Sequence, residues 1–224
     1  MSSTDLASKI NTWIFDLDNT LYQTTPDMLA QIDDLMGSFI SDFLAVNRAE
    51  ARRIQKQYFK THGLTLRGLM VEHSLDPEKY IKHLSKLDLS GVKKNPKLAE
   101  MLELLPGQKI IHTNAFTQHT EEVMDRIGIT KYFDAVFDII DANFIPKPTL
   151  DPYVQLCDMY NVNPTRAVMV EDIARNLKPA ADLGMTTVWV QTNTNWGGNP
   201  EEDNHIDYQT NDLIHWLENI VSYQ

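Results

Sequence analysis

Two aspartates, Asp16 and Asp18, stand two residues apart directly after a short apolar run that ends at Phe15. Such a run is typical of a buried strand, and open α/β sheets bind their ligands at the carboxyl ends of the strands. Two buried like charges are costly unless a cation or a shared proton compensates them. Mg²⁺ suits this pair because it takes a few carboxylate oxygens together with a substrate phosphate. A lone Asp-x-Asp would fit a solvated surface turn better.

Three further polar segments follow later parts of the predicted sheet. Thr113 and Asn114 come at the end of the second apolar run and precede a predicted helix, which suits phosphate binding but also ordinary helix capping. Lys147 lies between two prolines, which fix one cation in place, although a surface turn would look the same. Glu171 and Asp172 follow the fourth run, where a carboxylate would complete an oxygen site for a metal or cap a helix. Together these segments favour one shared site.

Short apolar runs predict the elements that must position these side chains. Five runs rich in β-branched and aromatic residues indicate buried parallel strands covered by helices on both faces. Helical patterns over 117–128, 150–160 and 173–183 alternate with the later runs. This alternation predicts an α/β fold with a doubly wound (Rossmann-like) parallel sheet of about five strands. The predicted strands span residues 13–15, 109–112, 135–139, 167–170 and 186–190.

No clear strand pattern occurs between about Thr24 and Leu105. Asp76 followed by Pro77 is a good helix start within this interval. We therefore predict helices near 26–46, 48–61, 67–74, 77–86 and 96–105, and an all-helical cap inserted after the first strand. The predicted domains are an α/β core of residues 1–22 and 95–224 and a helical cap of residues 23–94.

The composition narrows the class of protein. The chain has 224 residues, of which 42% are hydrophobic, and its net charge of −11 argues against a nucleic-acid-binding surface. Cys157 is the sole cysteine, so no intrachain disulfide can form. Residues 1–9 lack the apolar stretch of a secretory signal, and no apolar run approaches the ~20 residues that cross a bilayer. We expect a cytoplasmic protein with neither a membrane nor a nucleic acid as partner.

The C-terminal part carries a predicted loop at 196–200, an acidic stretch at 201–203 that we interpret as a solvated face, and a predicted helix at 212–221.

The four segments appear as Asp16-x-Asp18-x-Thr20, Thr113, Lys147 and Glu171-Asp172. With them, the chain resembles the haloacid dehalogenase superfamily of phosphohydrolases. The resemblance spans nearly the whole chain, because the predicted helical insertion also sits where that superfamily has its small helical cap. One departure is Ile173, which stands where the fourth motif often has a serine.

The resemblance implies a Mg²⁺-dependent phosphatase that forms a covalent aspartyl-phosphate. Asp16 would be the nucleophile, and Asp18 would protonate the leaving oxygen and then activate water. Thr113, the backbone near Asn114, and Lys147 would hold the phosphoryl oxygens. The implied metal ligands are Asp16, the main-chain carbonyl of Asp18, and Asp172, with Glu171 as an extra or outer ligand.

A narrower resemblance concerns the pyrimidine 5′-nucleotidase branch. It involves Thr113-Asn114-Ala115 with His119, residues 127–129 and 132–134, the stretch from Asp138 to Pro148, and the cap segment 63–68. It implies that the partner is a small phosphorylated metabolite, a nucleoside monophosphate such as UMP or CMP. Arg67, within the cap segment, is the candidate to grip phosphate or stack on a base, and a surface arginine fits equally well. We interpret His62 and His119 as structural or surface residues.

Several alternatives stay open on the sequence. Hydrolytic dehalogenation would need Asp16 but neither a metal nor Asp18. A sugar-phosphate or phosphoglycolate phosphatase, or a mutase, would share every motif. A phospho-accepting signalling domain or a non-catalytic binding protein is the alternative of a different class. The oligomeric state, monomer or homodimer, is also open.

Overall fold

A computed structural model of the chain describes Leu6, residues 9–192 and residues 204–222. Its centre is a sheet of six parallel strands in the order β3-β2-β1-β4-β5-β6. The strand order reverses on the two sides of β1, which confirms the predicted doubly wound sheet. The strands are β1 Thr12–Phe15, β2 Gln108–His112, β3 Ala135–Phe137, β4 Ala167–Glu171, β5 Thr186–Val190 and β6 Tyr208–Thr210.

Nine α-helices lie in the described ranges, and four of them come between β1 and the rest of the core. None of the nine combines the length and the hydropathy that crossing a lipid bilayer requires. The helices are α1 Pro26–Leu44, α2 Arg48–His62, α3 Thr65–His73, α4 Pro77–Leu84, α5 Pro96–Leu104, α6 Thr117–Ile127, α7 Leu150–Tyr160, α8 Ala174–Asp182 and α9 Leu213–Val221.

Side chains alternate between the two faces of the sheet along each strand. Helices pack on both faces, so both are buried. Trp13 and Phe15 of β1 pack in a cluster with residues of α5, α6 and α9 on one face. Ile14 packs on the opposite face with residues of α7 and α8. The two layers hold β1 in the middle of the core, so the residues that follow it start from a rigid position.

The helices α1 to α4 have an apolar cluster of their own. Ile40, Leu69 and Tyr80 are among its fully buried members, and Phe144 of the core packs against it. The predicted helix start at Asp76 is confirmed, since its carboxylate Oδ1 accepts a hydrogen bond from Glu78 N at 3.1 Å. The division at residues 23–94 into a cap domain stays a proposal, which this separate cluster supports.

Several elements differ from the prediction in their limits, and one strand was not predicted. β3 ends at Phe137 instead of residue 139 because Asp138 Oδ1 accepts hydrogen bonds from Ile140 N (2.8 Å) and Asp141 N (3.1 Å), which turns the chain. α3 begins two residues earlier, at Thr65. β6 was not predicted, because this edge strand has no apolar run. The predicted loop at 196–200 and the acidic stretch at 201–203 lie outside the described residues.

The turn before β2 generates a stability prediction. Gly107 has φ +83°, and a Cβ built there would lie 2.4 Å from the carbonyl oxygen of Asn11, just before β1. Gly128 has a similar φ of +84° but nothing within 4 Å of its Cβ position. Both alanine variants should carry left-handed strain of about 1–2 kcal/mol. Only Gly107→Ala should add the overlap, for a further loss of about 1–3 kcal/mol. Urea unfolding of the two variants checks this, and equal losses would contradict it.

Candidate active site

The side chain of Lys147 is the centre of the site. Its Nζ donates hydrogen bonds to Asp16 Oδ1 at 2.8 Å, to Glu171 Oε2 at 2.6 Å and to the carbonyl oxygen of His112 at 2.8 Å. An ammonium has three N–H donors, so all of them are used. Burial alone would lower the pKa of Lys147, but Asp16 and Glu171 outweigh it, and the pKa is raised. A charged lysine therefore joins the ends of β1, β2 and β4.

Asn114 fixes the loop that carries Lys147. Its side-chain Oδ1 accepts a hydrogen bond from the backbone N–H of Lys147 at 2.9 Å. Thr113, the preceding residue, is buried, and its hydroxyl oxygen accepts a hydrogen bond from Ala115 N at 3.0 Å. Because Phe15 pairs with Ile111 in the parallel register, Asp16 and Thr113 both lie just past the carboxyl ends of their strands. Thr113 and Asn114, both predicted to bind phosphate, therefore lie at the same edge of the sheet as Asp16.

Asp16 is buried and engaged through both of its oxygens. Besides the bond from Lys147 to Oδ1, the hydroxyl of Thr20 donates to Oδ2 at 2.9 Å. Burial and the neighbouring Glu171 raise the pKa of Asp16, and Lys147 opposes them. Thr20 was part of the motif, but its contact with Asp16 was not foreseen. The carboxylate predicted to be the nucleophile is thus fixed in one orientation.

Three carboxylates converge close enough to bind one metal ion. Ligand oxygens of Asp16, Glu171 and Asp172 all lie within 4.8 Å of one another. Asp172 Oδ2 is buried and has no hydrogen-bond partner among the residues described. Burial, then Glu171 and Asp16, raise the pKa of Asp172. One lysine cannot neutralise three buried carboxylates, so a hard divalent cation fits this set of oxygens.

Glu171, predicted as an extra or outer metal ligand, has a protein partner for each of its two oxygens. Its Oε2 accepts from Lys147, and its Oε1 accepts from the backbone N–H of Ile173 at 3.1 Å. Both oxygens are therefore committed within the protein. The oxygen without a partner belongs to Asp172, which supports Asp172 as a direct ligand and agrees with the outer role of Glu171.

Asp18 lies apart from this cluster and has partners of its own. Its side chain is 33% exposed, whereas that of Asp16 is 8% exposed. Its Oδ1 accepts from the hydroxyl of Tyr22 at 2.5 Å and pairs with His119 Nε2 at 3.0 Å. Burial raises the pKa of Asp18, but His119 and Tyr22 outweigh it, and the net shift is downward. Conversely, burial lowers the pKa of His119, and Asp18 raises it above its ordinary value.

His119 is the functional candidate that the sequence reasoning missed. We interpreted it as a structural or surface residue, but its side chain is 12% exposed and contacts Asp18. The available signal was its place in the first turn of α6, directly after the segment of Thr113 and Asn114. His62, by contrast, pairs with Glu72 within the cap at 3.2 Å, in agreement with a structural or surface role.

Arg67 makes no polar contact with the described residues of the site. The residue is half-buried at the start of α3 and makes neither an ion pair nor a hydrogen bond with the part of the chain that the structure describes. The turn before α3 does reach the site, since a Cβ at Gly63 would lie 3.1 Å from Pro146 Cγ and 3.5 Å from the carbonyl oxygen of Lys147. Arg67 therefore lies four residues after Gly63, whose cap turn approaches the loop carrying Lys147.

Comparisons with known proteins agree with this geometry. A family model described as haloacid dehalogenase-like hydrolase matches residues 10–184. The chain is also similar to a solved structure, a HAD phosphatase from Thermococcus onnurineus, with a TM-score of 0.66 and 22% identity over 96% of this chain and 99% of that one. At this identity the likeness supports the fold alone.

Two characterised proteins are similar in sequence. Phosphate metabolism protein 8 of Saccharomyces cerevisiae is 25% identical over 81% of this chain and 61% of its own length. The chain thus spans about three fifths of that relative. Fructose-1-phosphate phosphatase YqaB of Escherichia coli is 26% identical over 80% of this chain and 95% of its own length.

The unpartnered oxygen of Asp172 generates a prediction about metal binding. Mg²⁺ should raise the melting temperature, because it would compensate buried carboxylates that are in excess over Lys147. Asp172→Asn should melt at or above the temperature of the metal-free wild type, since it removes a carboxyl group whose ionised form burial, Glu171 and Asp16 disfavour, and should lose most of the Mg²⁺-induced shift. Asp151→Asn, an exposed control, should keep the shift. Differential scanning calorimetry with and without Mg²⁺ measures both effects, and an unchanged shift in Asp172→Asn would contradict this assignment.

Proposed function

Because the chain belongs to the haloacid dehalogenase-like hydrolases, we propose that it hydrolyses phosphomonoesters through a covalent aspartyl-phosphate at Asp16. The observation that carries the proposal is the pairing of Asp16 with Lys147 beside the unpartnered oxygen of Asp172. A buried anionic nucleophile can approach an anionic phosphate only where fixed positive charge offsets the repulsion. The site supplies one such charge and the carboxylates to bind another.

The first step is a transfer of the phosphoryl group to the protein. A carboxylate oxygen of Asp16 forms a bond to phosphorus while the bond from phosphorus to the ester oxygen breaks. Asp18, carrying a proton, gives it to the departing oxygen, so that an alcohol leaves. Lys147 and Thr20 hold Asp16 during the attack. Thr113, the backbone near Asn114, and Lys147 would bind the phosphoryl oxygens, for which Lys147 must release one of its three present acceptors.

The second step restores the protein. Asp18, now a carboxylate, takes a proton from a water molecule whose oxygen attacks phosphorus. The bond between phosphorus and the Asp16 oxygen breaks, and inorganic phosphate leaves. The lowered pKa of Asp18 favours the carboxylate form that this step requires and disfavours the protonated form that the first step uses. Two easier steps thus replace one difficult displacement.

Asp16, the main-chain carbonyl of Asp18, and Asp172 would hold Mg²⁺. When bound, the ion would neutralise charge on the phosphoryl oxygens. Asp172 is the residue best suited to this role because its Oδ2 has no partner in the described structure.

The site favours phosphate hydrolysis over its rivals. Dehalogenation would leave Asp18 and Asp172 without a task, although both are held at the site. A non-catalytic binding protein would not need the contacts that fix Asp16, Lys147 and Asp18. A phospho-accepting signalling domain lacks a helical insertion of this size after its first strand. Phosphatase chemistry uses all of these features.

For the substrate we propose a pyrimidine nucleoside monophosphate, from the resemblance of the segments around Thr113, His119 and residues 63–68. A sugar phosphate is the second candidate, and the similarity to the Escherichia coli fructose-1-phosphate phosphatase favours it. The groups that bind phosphate are the same for both candidates. A screen of phosphate release over both classes of metabolite separates them.

The role of Asp16 is tested by its conservative amide variant. Asp16→Asn should lower kcat for phosphate release from 4-nitrophenyl phosphate by about 10³-fold or more, because an amide cannot form the acyl phosphate. Asp151→Asn, exposed on the surface, should retain wild-type turnover. Wild-type activity should also vanish with a chelator and return with Mg²⁺. Turnover by Asp16→Asn within tenfold of the wild type would contradict the proposal.

The role of Arg67 is tested by the kinetics of its removal. If Arg67 grips the substrate, Arg67→Met should raise KM for the preferred substrate about tenfold or more and change kcat by less than about threefold. Arg53→Met is the matched control, since Arg53 is an exposed cap arginine paired with Glu50. An unchanged KM across the whole substrate screen would remove Arg67 from the site.

A further inference from the structure

We propose that His119 and Tyr22 act as positioning residues that orient the Asp18 carboxyl group toward the leaving oxygen. The inference rests on the proposed function and adds two residues to which the resemblance assigns no role. It concerns the direction in which Asp18 points and how firmly it is held.

The contacts on Asp18 are asymmetric. The hydroxyl of Tyr22 and the Nε2 of His119 both lie against Oδ1, at 2.5 Å and 3.0 Å. The other oxygen, Oδ2, accepts no hydrogen bond from the residues that are described. One oxygen is therefore anchored from two sides, and the second is available for proton transfer.

The two anchors come from different parts of the fold. Tyr22 follows Asp18 by four residues, and an isolated backbone bridge links the two residues. His119 lies 101 residues from Asp18, on α6. The position of Asp18 is thus fixed relative to the start of the cap and relative to the core helix.

Both anchors are themselves held by packing. The ring of Tyr22 packs against the main apolar cluster, in which Val123 and Met124 of α6 are buried. The ring of His119 lies 5.9 Å from that of Phe116. A proton donor works well only when held within a narrow range of positions, and rigid elements provide that better than a free loop side chain.

Loss of a positioning residue should change the dependence of the rate on the leaving group, whereas a general loss of structure should not. A strongly basic alkoxide leaves only if it receives a proton in the transition state, whereas a weakly basic aryl oxide leaves without one. Misplacing Asp18 should therefore slow the hydrolysis of alkyl phosphates much more than that of activated aryl phosphates. General acid catalysis contributes about 10²–10⁴-fold, which sets the range of the expected loss.

The experiment compares kcat/KM for 2,4-dinitrophenyl phosphate with kcat/KM for the best alkyl phosphate from the substrate screen. His119→Ala and Tyr22→Phe should each lose about tenfold or more on the alkyl ester and less than about threefold on the aryl ester. His119→Gln, which retains a side-chain N–H, should recover part of the loss. Glu121→Ala, an exposed change on the same helix, should behave as the wild type.

A second measurement assigns the effect to Asp18. In an Asp18→Asn background, His119→Ala should cause no further loss on the alkyl ester, because the group that it positions is already gone. Additive losses would overturn the inference. Equal losses on both esters, or no loss in either His119→Ala or Tyr22→Phe, would overturn it as well.

Failure of the proposed function looks different. A wild-type protein that hydrolyses neither ester would refute the phosphatase assignment itself, together with the inference that rests on it. A wild-type protein that hydrolyses both esters, with variants that show no leaving-group dependence, would refute only the role of His119 and Tyr22. If His119→Ala does not fold, Tyr22→Phe and His119→Gln decide the question.

Discussion

The buried ammonium of Lys147 is the interaction on which the arrangement of the site depends. It binds Asp16 after β1, a carbonyl oxygen at the end of β2 and Glu171 at the end of β4. Three neighbouring strands thus meet at one positive charge that water does not reach. Removal of one partner from such a buried network leaves uncompensated charge, which typically costs about 3–5 kcal/mol. The register of the sheet, the loop held by Asn114 and the orientation of Asp16 all support this contact.

A charge imbalance follows from the same contact. Lys147 offsets only part of the negative charge of Asp16, Glu171 and Asp172, and its own donors are fully used. The remaining negative charge is best compensated at the unpartnered oxygen of Asp172, where a divalent cation fits. Asp18 lies outside this cluster, because its contacts are with His119 and Tyr22. The site therefore contains two carboxylates in contrasting environments, one buried against a lysine and one partly exposed. Such a contrast suits a nucleophile and a proton carrier.

Local patterns in the sequence were enough to predict the parts of the fold that depend on local physics. Apolar runs identified five of the six strands, and pairs such as Asp76-Pro77 identified helix starts. The meeting of Asp16 and Asp172 was also predictable, because parallel strands bring their ends to one edge, and Lys147 was predicted from its flanking prolines and the family resemblance. Contacts that depend on tertiary packing were not. The hydroxyl of Thr20 on Asp16 and the contact of Glu171 with Lys147 have no signature in spacing, and the place of His119 in the first turn of α6 does not by itself predict its contact with Asp18. β6 was not predicted for a related reason. This short polar edge strand has no apolar run and is recognisable only by its pairing with β5.

The central claim is that the phosphoryl group passes through Asp16 of this chain. Rapid acid quenching of the wild-type protein during turnover, followed by peptide mass spectrometry, tests it most directly. The account predicts that the peptide containing Asp16 carries the added mass of one phosphoryl group and loses it on treatment with hydroxylamine. Steady phosphate release while that peptide stays unmodified, or a phosphoryl group on a different residue, would contradict the account.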